Sequence, residues 1–167
     1  MTSSSANRIY VALVHHPVID KNGETIASAV TNLDLRDIAR VCKTYGGRGY
    51  YVITPLEDQM VLVNRILGHW TSGVGGEYNP LRRQALERVR VKATFDEAVD
   101  EIAVAQGCRP NTVATTARRH AGSLSYRRLR GMVVDPVPLV LAFGTAWGLS
   151  DAFMANADYI LDPLAGA

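Results

Sequence analysis

Two stretches of this chain join small residues to the end of an apolar run, an arrangement that suits a ligand held by main-chain groups. Gly144-Thr-Ala-Trp-Gly-Leu149 follows the apolar run Pro138-Leu-Val-Leu-Ala-Phe143, and Val113-Ala-Thr-Thr-Ala-Arg-Arg119 closes another. Glycine and alanine let a ligand approach the backbone closely. Arg118 and Arg119 then present guanidinium forks, whose geometry matches phosphate oxygens. A third short run, Ala157-Asp-Tyr-Ile-Leu-Asp162, ends in the loop Pro163-Leu-Ala-Gly166. Together the three read as a cradle for a nucleoside-like ligand. Each taken singly is also what an ordinary strand-to-helix turn looks like.

Other chemistries find less support. His15 and His16 could serve as bases or ligands, but no Cys, His or carboxylate stands at ligand spacing, so they read as structural caps of a strand end and no metal is expected. The first strand leads into His15-His-Pro-Val-Ile-Asp-Lys-Asn-Gly23 and not into a G-x-G-x-x-G turn, which argues against the usual dinucleotide-binding fold. There is no phosphate-cradling G-x-x-x-x-G-K-[ST] loop and no serine in a nucleophile elbow. Cys42 and Cys108 offer neither a disulfide framework nor metal spacing.

The elements that must position the cradle alternate along the chain. Apolar runs at 9–14, 50–54, 89–93, 112–116, 138–143 and 159–161 read as strands, the first continuous enough to be buried on both faces. Helical spacing covers 31–45, with Thr31, Asn32 and Asp34 as candidate caps, and 56–70 through Leu56, Met60, Val63, Leu67 and Trp70. Further helices are expected at 81–87, 95–106, from Leu124 toward Gly131, and at 149–155, whereas 73–80 reads as a flexible glycine loop. Strands separated by helical crossovers imply an α/β fold, a mostly parallel, doubly wound sheet with helices on both faces. Its ligand would lie beyond the carboxyl ends of the strands.

At 167 residues, 47% hydrophobic and 20% charged, the chain is expected to form one domain, with 1–7 a disordered polar leader that is not a signal peptide. No apolar run suffices to cross a bilayer, so the cytoplasm is the expected location. A net charge of +2 does not by itself imply nucleic acid. The distribution is more telling, since Arg82, Arg83, Arg88 and Arg90 form one cluster and Arg118, Arg119, His120, Arg127, Arg128 and Arg130 another. Either cluster alone reads as a solvated helix face, while two clusters richer in Arg than in Lys raise the case for phosphate contacts.

Six segments in order resemble the SPOUT superfamily, the trefoil-knotted RNA methyltransferases that use S-adenosylmethionine, and within it a small bacterial family of stand-alone domains. They are Ala12-Leu-Val-His-His-Pro-Val18, Thr31-Asn-Leu-Asp-Leu-Arg-Asp-Ile-Ala-Arg40, the strand and turn at 50–59, Tyr78-Asn-Pro80, Ala114-Thr-Thr-Ala-Arg118 and Phe143-Gly-Thr-Ala-Trp-Gly-Leu149. The resemblance implies a donor site for S-adenosylmethionine with three walls. Thr115, Thr116 and Ala117 form one, Phe143, Gly144, Thr145, Trp147, Gly148 and Leu149 the second, and Ile160, Leu161, Pro163 and Leu164 the third. It also implies that Arg40 matches the arginine that serves the acceptor in the 2′-O-methylating branch, with Asp34 or Asn32 orienting it, although Asp34 replaces that branch's asparagine. Arg118, Arg119, Arg82 and Arg83 become candidates for the RNA backbone.

The implied reaction is methyl transfer to tRNA or rRNA, on a base nitrogen or a ribose 2′-hydroxyl, by a homodimer whose second subunit lends residues to the site. Relatives continue past the Pro-x-x-Gly loop into a tail that makes the knot, so the expectation for this chain is an incomplete knot and donor site. Two rival functions stand beside the enzyme: a knotted domain that holds donor or RNA without turnover, and a flavodoxin-like small-molecule binder suggested by fold class alone.

Overall fold

The computed structural model describes residues 8–164. The expected leader at 1–7 and the close of the 163–166 loop lie outside the described residues, and with them any statement about the knot. Eight strands and seven helices alternate: β1 (Ile9–Val14), β2 (Val18–Ile19), β3 (Thr25–Ile26), α1 (Asn32–Thr44), β4 (Gly49–Ile53), α2 (Glu57–Thr71), α3 (Val74–Tyr78), α4 (Pro80–Leu86), β5 (Val89–Lys92), α5 (Phe95–Gln106), β6 (Asn111–Ala114), α6 (Tyr126–Val133), β7 (Leu139–Gly144), α7 (Asp151–Asn156) and β8 (Tyr159–Ile160). Six of the strands form one parallel sheet in the order β5-β4-β1-β7-β6-β8, and β2 and β3 make a small antiparallel hairpin outside it.

The central strand β1 shows why the sheet is covered on both faces. Its Tyr10, Ala12 and Val14 pack with α5 and α7 residues such as Ala98, Ile102, Phe153 and Met154. Leu13, on the opposite face, joins Leu35, Ala39 and Cys42 of α1, Val63 of α2, and Ala85 and Leu86 of α4. A third cluster sets Leu129 and Met132 of α6 against Val113 and Leu139. A strand buried on both sides must be apolar without alternation, and Ile-Tyr-Val-Ala-Leu-Val is.

Four of the expected segments depart from the sequence expectation by two residues or more, each for a local reason. The 73–80 stretch is not a loop: Val74–Tyr78 forms a helical turn packed against the end of α2. A Cβ on Gly76 would lie 2.5 Å from the Trp70 carbonyl oxygen, so bare glycine is what lets the two backbones meet. Strand β6 stops at Ala114 rather than Thr116, because Thr115 turns its hydroxyl back onto the Ala142 carbonyl. Helix α6 starts at Tyr126 under a Ser125 cap, since Leu124 is engaged in a bridge to Leu161. Helix α7 starts at Asp151 under a Ser150 cap, since Leu149 bridges to Val18.

Candidate active site

Parallel pairing of β1, β7, β6 and β8 sends their carboxyl ends to one edge of the sheet. The register sets Gly144 beside Val14, and Ala114 between Ala142 and Ile160. The three loops singled out from sequence therefore leave neighbouring strands and meet at one edge. This is the place where open α/β sheets bind ligands.

The 144–149 turn is tightly built. A Cβ on Gly144 would lie 2.5 Å from the Leu149 nitrogen, so the turn closes directly over that residue. Ala146 takes φ of 51° and Gly148 φ of 114°, the first an uncommon conformation for a residue with a side chain. The β2–β3 hairpin holds the far end of the turn. Ile19 N–H donates to Gly148 O at 3.0 Å, Trp147 N–H donates to Ile19 O at 3.0 Å, and Ser150 N–H donates to Pro17 O at 3.2 Å.

Within the three walls the side chains divide. Phe143, Trp147 and Leu164 are exposed, as is Ala117, while Thr115, Thr116, Thr145, Ile160 and Pro163 are half-buried. Leu149 and Leu161 bury their side chains in the core, leaving only main-chain atoms to face a ligand. Thr115 Oγ1 donates to Ala142 O at 2.9 Å, and Thr116 Oγ1 accepts from the Arg118 backbone N–H at 3.1 Å. Arg118 and Arg119 are exposed beyond them.

Arg40 lies elsewhere. Thr31 and Asp34 form a capping box at the start of α1, Asp34 N–H donating to Thr31 Oγ1 at 3.2 Å and Thr31 N–H to Asp34 Oδ2 at 3.1 Å. Asp34 is thus committed to the helix end, and the residue that orients Arg40 is Asp37, at 3.4 Å, not Asp34 or Asn32. Arg36 reaches the same Asp37 oxygen at 3.0 Å.

Arg36, Arg40 and Lys43 of α1 line a pocket of about 570 Å³ together with Asn79 and Arg82 at the start of α4. Lys43 Nζ donates to Gln84 Oε1 at 2.5 Å, and the Arg82 guanidinium lies 4.3 Å from the Trp70 ring centroid. Arg83 turns away to pair with Glu87 at 2.9 Å, and Asn32 lines a smaller adjoining hollow with Trp70 and Arg82. The structure brings Arg40 and Arg82 together, but no residue lining their pocket comes from the 115–119, 143–149 or 160–164 loops. Sequence reading missed Arg36 and Lys43 as partners of Arg40, although the i, i+4, i+7 spacing carried the signal.

His15 directly follows β1, its backbone N–H donating to Ile53 O at 2.8 Å, and its side chain is wholly buried between β1, the entry to α1 and the 144–149 turn. Its Nδ1 lies 3.0 Å from Ser28 Oγ, which lies 2.5 Å from Thr145 Oγ1. Burial pulls its pKa below the usual 6.5, against the opposing influence of the Asp34 charge and the Ala29 backbone. Among the described residues no group of three or more His, Cys, Asp or Glu could hold a metal ion, and no helix is long and apolar enough to cross a membrane.

Known structures share this architecture. A probable methyltransferase from Bordetella pertussis Tohama I superposes with a TM-score of 0.58 at 17% identity, covering 97% of this chain and 82% of that one. The A. aeolicus TrmH/SpoU tRNA modifying enzyme does so with a TM-score of 0.53 at 15% identity, covering 96% and 65%. The chain shares the fold of these two proteins.

The sequence profile of the SAM-dependent RNA methyltransferase family matches residues 8–167, and the chain belongs to that family. A protein of Oleidesulfovibrio alaskensis named tRNA (guanine-N(1)-)-methyltransferase is 43% identical over 156 residues, 93% of this chain but 36% of that protein. A protein of the same name from Nitratidesulfovibrio vulgaris is 42% identical over an equal share. An uncharacterized protein of Aquifex aeolicus is 34% identical over 160 residues, 95% of this chain and 78% of its own length. The chain therefore spans about a third of the length of the two named relatives.

Proposed function

We propose that this chain transfers a methyl group from S-adenosylmethionine to RNA. The observation that carries the reading is the convergence of the 115–119, 143–149 and 160–164 loops on one sheet edge, in a chain of this family. The residues there suit the donor. Trp147 offers exposed ring surface for an adenine, and Thr115, Thr116 and the tightly turned main chain offer polar groups for ribose and amino acid. When bound, S-adenosylmethionine supplies a methyl group carried on a sulfonium, which leaves by in-line displacement.

The chain's own residues then have to position and to neutralise. Displacement rests chiefly on alignment, so the rigid 144–149 turn is an asset. The acceptor, a base nitrogen or a ribose 2′-hydroxyl, gives up a proton to solvent water, and a fixed cation nearby stabilises the charge that develops. Arg40 takes that role, steered by Asp37. Because its pocket holds none of the donor loops, the working unit is a homodimer in which one subunit's α1 serves the other's donor site. The apolar groove of Ile38, Val41, Tyr45, Leu141 and Phe143, along the opposite flank of α1, is the surface a second copy would cover.

Arg82, Arg118 and Arg119 hold the RNA backbone, with Arg83 at the margin. The work is done in the cytoplasm. The named relatives make tRNA the first acceptor to try. Tritiated S-adenosylmethionine, this chain, and tRNA or rRNA from cells lacking the gene should give label in RNA, and nucleoside digestion identifies the atom. Donor binding without label in any RNA would overturn the enzyme and leave a holding domain.

A further inference from the structure

We propose that His15 is a positioning residue for the donor site, setting the near end of the 144–149 turn through Ser28 and Thr145. The inference rests on the methyltransferase reading of that turn.

Taking the Thr145 hydroxyl bond to Val14 as the starting point orients the hydrogens along the path. Thr145 Oγ1 donates to Val14 O at 3.2 Å. A hydroxyl carries one hydrogen, so at the 2.5 Å contact Ser28 donates to Thr145. Ser28 has then spent its own hydrogen, and the His15 ring must donate Nδ1–H to Ser28 Oγ across 3.0 Å. The ring is thereby the neutral Nδ1–H tautomer, with Nε2 a bare acceptor.

That nitrogen is buried and makes no hydrogen bond. An apolar side chain of similar volume would fill the space without stranding a polar atom. What imidazole adds here is the single donor on its other side, and that donor is aimed at the turn.

The geometry of the turn shows what the donor does. Its far end is clamped by the β2–β3 hairpin at Trp147 and Gly148. Its near end is held at Thr145, whose backbone N–H donates to Val14 O at 3.1 Å and whose side chain receives the relay. Ser28 stands three residues before Thr31, the cap of α1, so the relay also ties the turn to the entry of the helix that carries Arg40. His15 touches neither donor nor acceptor; it acts on the donor through Thr145.

The test is a calorimetric titration of the full chain with S-adenosylmethionine, alongside thermal unfolding of each variant. H15A, S28A and T145V should each weaken donor binding about tenfold. H15N should hold affinity within about twofold, because the Asn amide N–H can stand where Nδ1–H was, whereas H15Q, which places its amide at the Nε2 position, should not. The H15A/T145V double variant should be no weaker than the weaker single, the signature of one shared path. A residue that merely fills space would lower the unfolding temperature and leave donor affinity alone. That result overturns the proposal, as does equal loss in H15N and H15A. Should H15A fail to fold, S28A decides, and wild-type affinity in S28A overturns the relay. No binding by the wild-type chain removes the donor-site reading and the inference with it; binding by the wild-type leaves the variants to judge the relay alone.

Discussion

Arg40 meets Asp37 one helical turn before it, with its guanidinium nitrogen 3.4 Å from the carboxylate, and Arg36 grips the same oxygen from the near side. A single carboxylate therefore aligns two cations along the rim of the α1–α4 pocket. The pair is exposed to solvent, so its value lies in direction rather than in stability.

Substituting Arg40→Ala should cut methyl transfer about a hundredfold or more while donor affinity stays near wild type. The unfolding free energy should move by less than about 0.5 kcal/mol, as for other exposed positions. Single-turnover kinetics with labelled donor check the first, and denaturant unfolding the second. Wild-type turnover would return Arg40 to the role of a plain surface residue.

Gly144→Ala should have the opposite signature. The added methyl would lie 2.5 Å from the Leu149 nitrogen and 2.8 Å from the Gly148 carbonyl carbon, both main-chain atoms with little room to yield. The turn must open, and donor binding should weaken by about tenfold or more. Titration with S-adenosylmethionine measures it.

The pH dependence of stability carries a histidine signature. The His15 pKa is lowered on folding, chiefly by burial, so between 6.5 and its lower folded value the unfolded chain binds more protons than the folded one. Its contribution is intact above 6.5 and is lost as pH falls through that window. Two carboxylates act in a more acid range. Glu101 is lowered first by its hydrogen bond from Lys92; in Asp158 burial pushes upward but the Thr112 and Arg109 hydrogen bonds outweigh it. Their contributions are present above 4.5 and 3.8, the ordinary values, and fall away only below them. Melting temperatures of wild type and H15N should diverge in slope as pH falls below about 6.5, with H15N the flatter.

Salt titrations of tRNA binding separate the arginines. Replacing Arg82, Arg118 or Arg119 should each flatten the log–log salt dependence by about one unit. Arg83, already paired with Glu87, should change it less. Binding that ignores salt would remove the phosphate-contact reading.

Gly76→Ala tests the packing of α3. Its methyl would press on the Trp70 carbonyl oxygen at 2.5 Å and on Arg83 Cδ at 3.2 Å, and stability should drop by about 1–3 kcal/mol. Denaturant unfolding reads it directly. Because Trp70 underlies Arg82, tRNA affinity should weaken too.

The parallel sheet was legible because continuous apolar runs such as Ile9–Val14 have few other uses, and the three loops because strand ends were marked by glycine and small polar residues. What escaped depended on contacts between distant segments. Val74-Gly-Gly-Glu-Tyr78 has the composition of a loop, and only the nearby Trp70 backbone explains helical glycines there. The two-residue strands β2 and β3 are too short to show a period. His15 looked like a terminal polar residue, since its partners Ser28 and Thr145 lie 13 and 130 positions away in sequence. Arg36, Arg40 and Lys43 formed a visible stripe, but what faced it awaited α4.

The sheet order has a consequence for how the protein is made. Strand β1 finds β4 within forty residues of synthesis, yet its other neighbour is β7, at 139–144. On the ribosome the middle of the sheet therefore stays an open edge until residue 144 has been made, its main-chain groups unpaired on one side. Pairing across so long a stretch of chain is slow. The same late strand carries the 144–149 turn at its end, so closing the sheet and setting that turn are a single event.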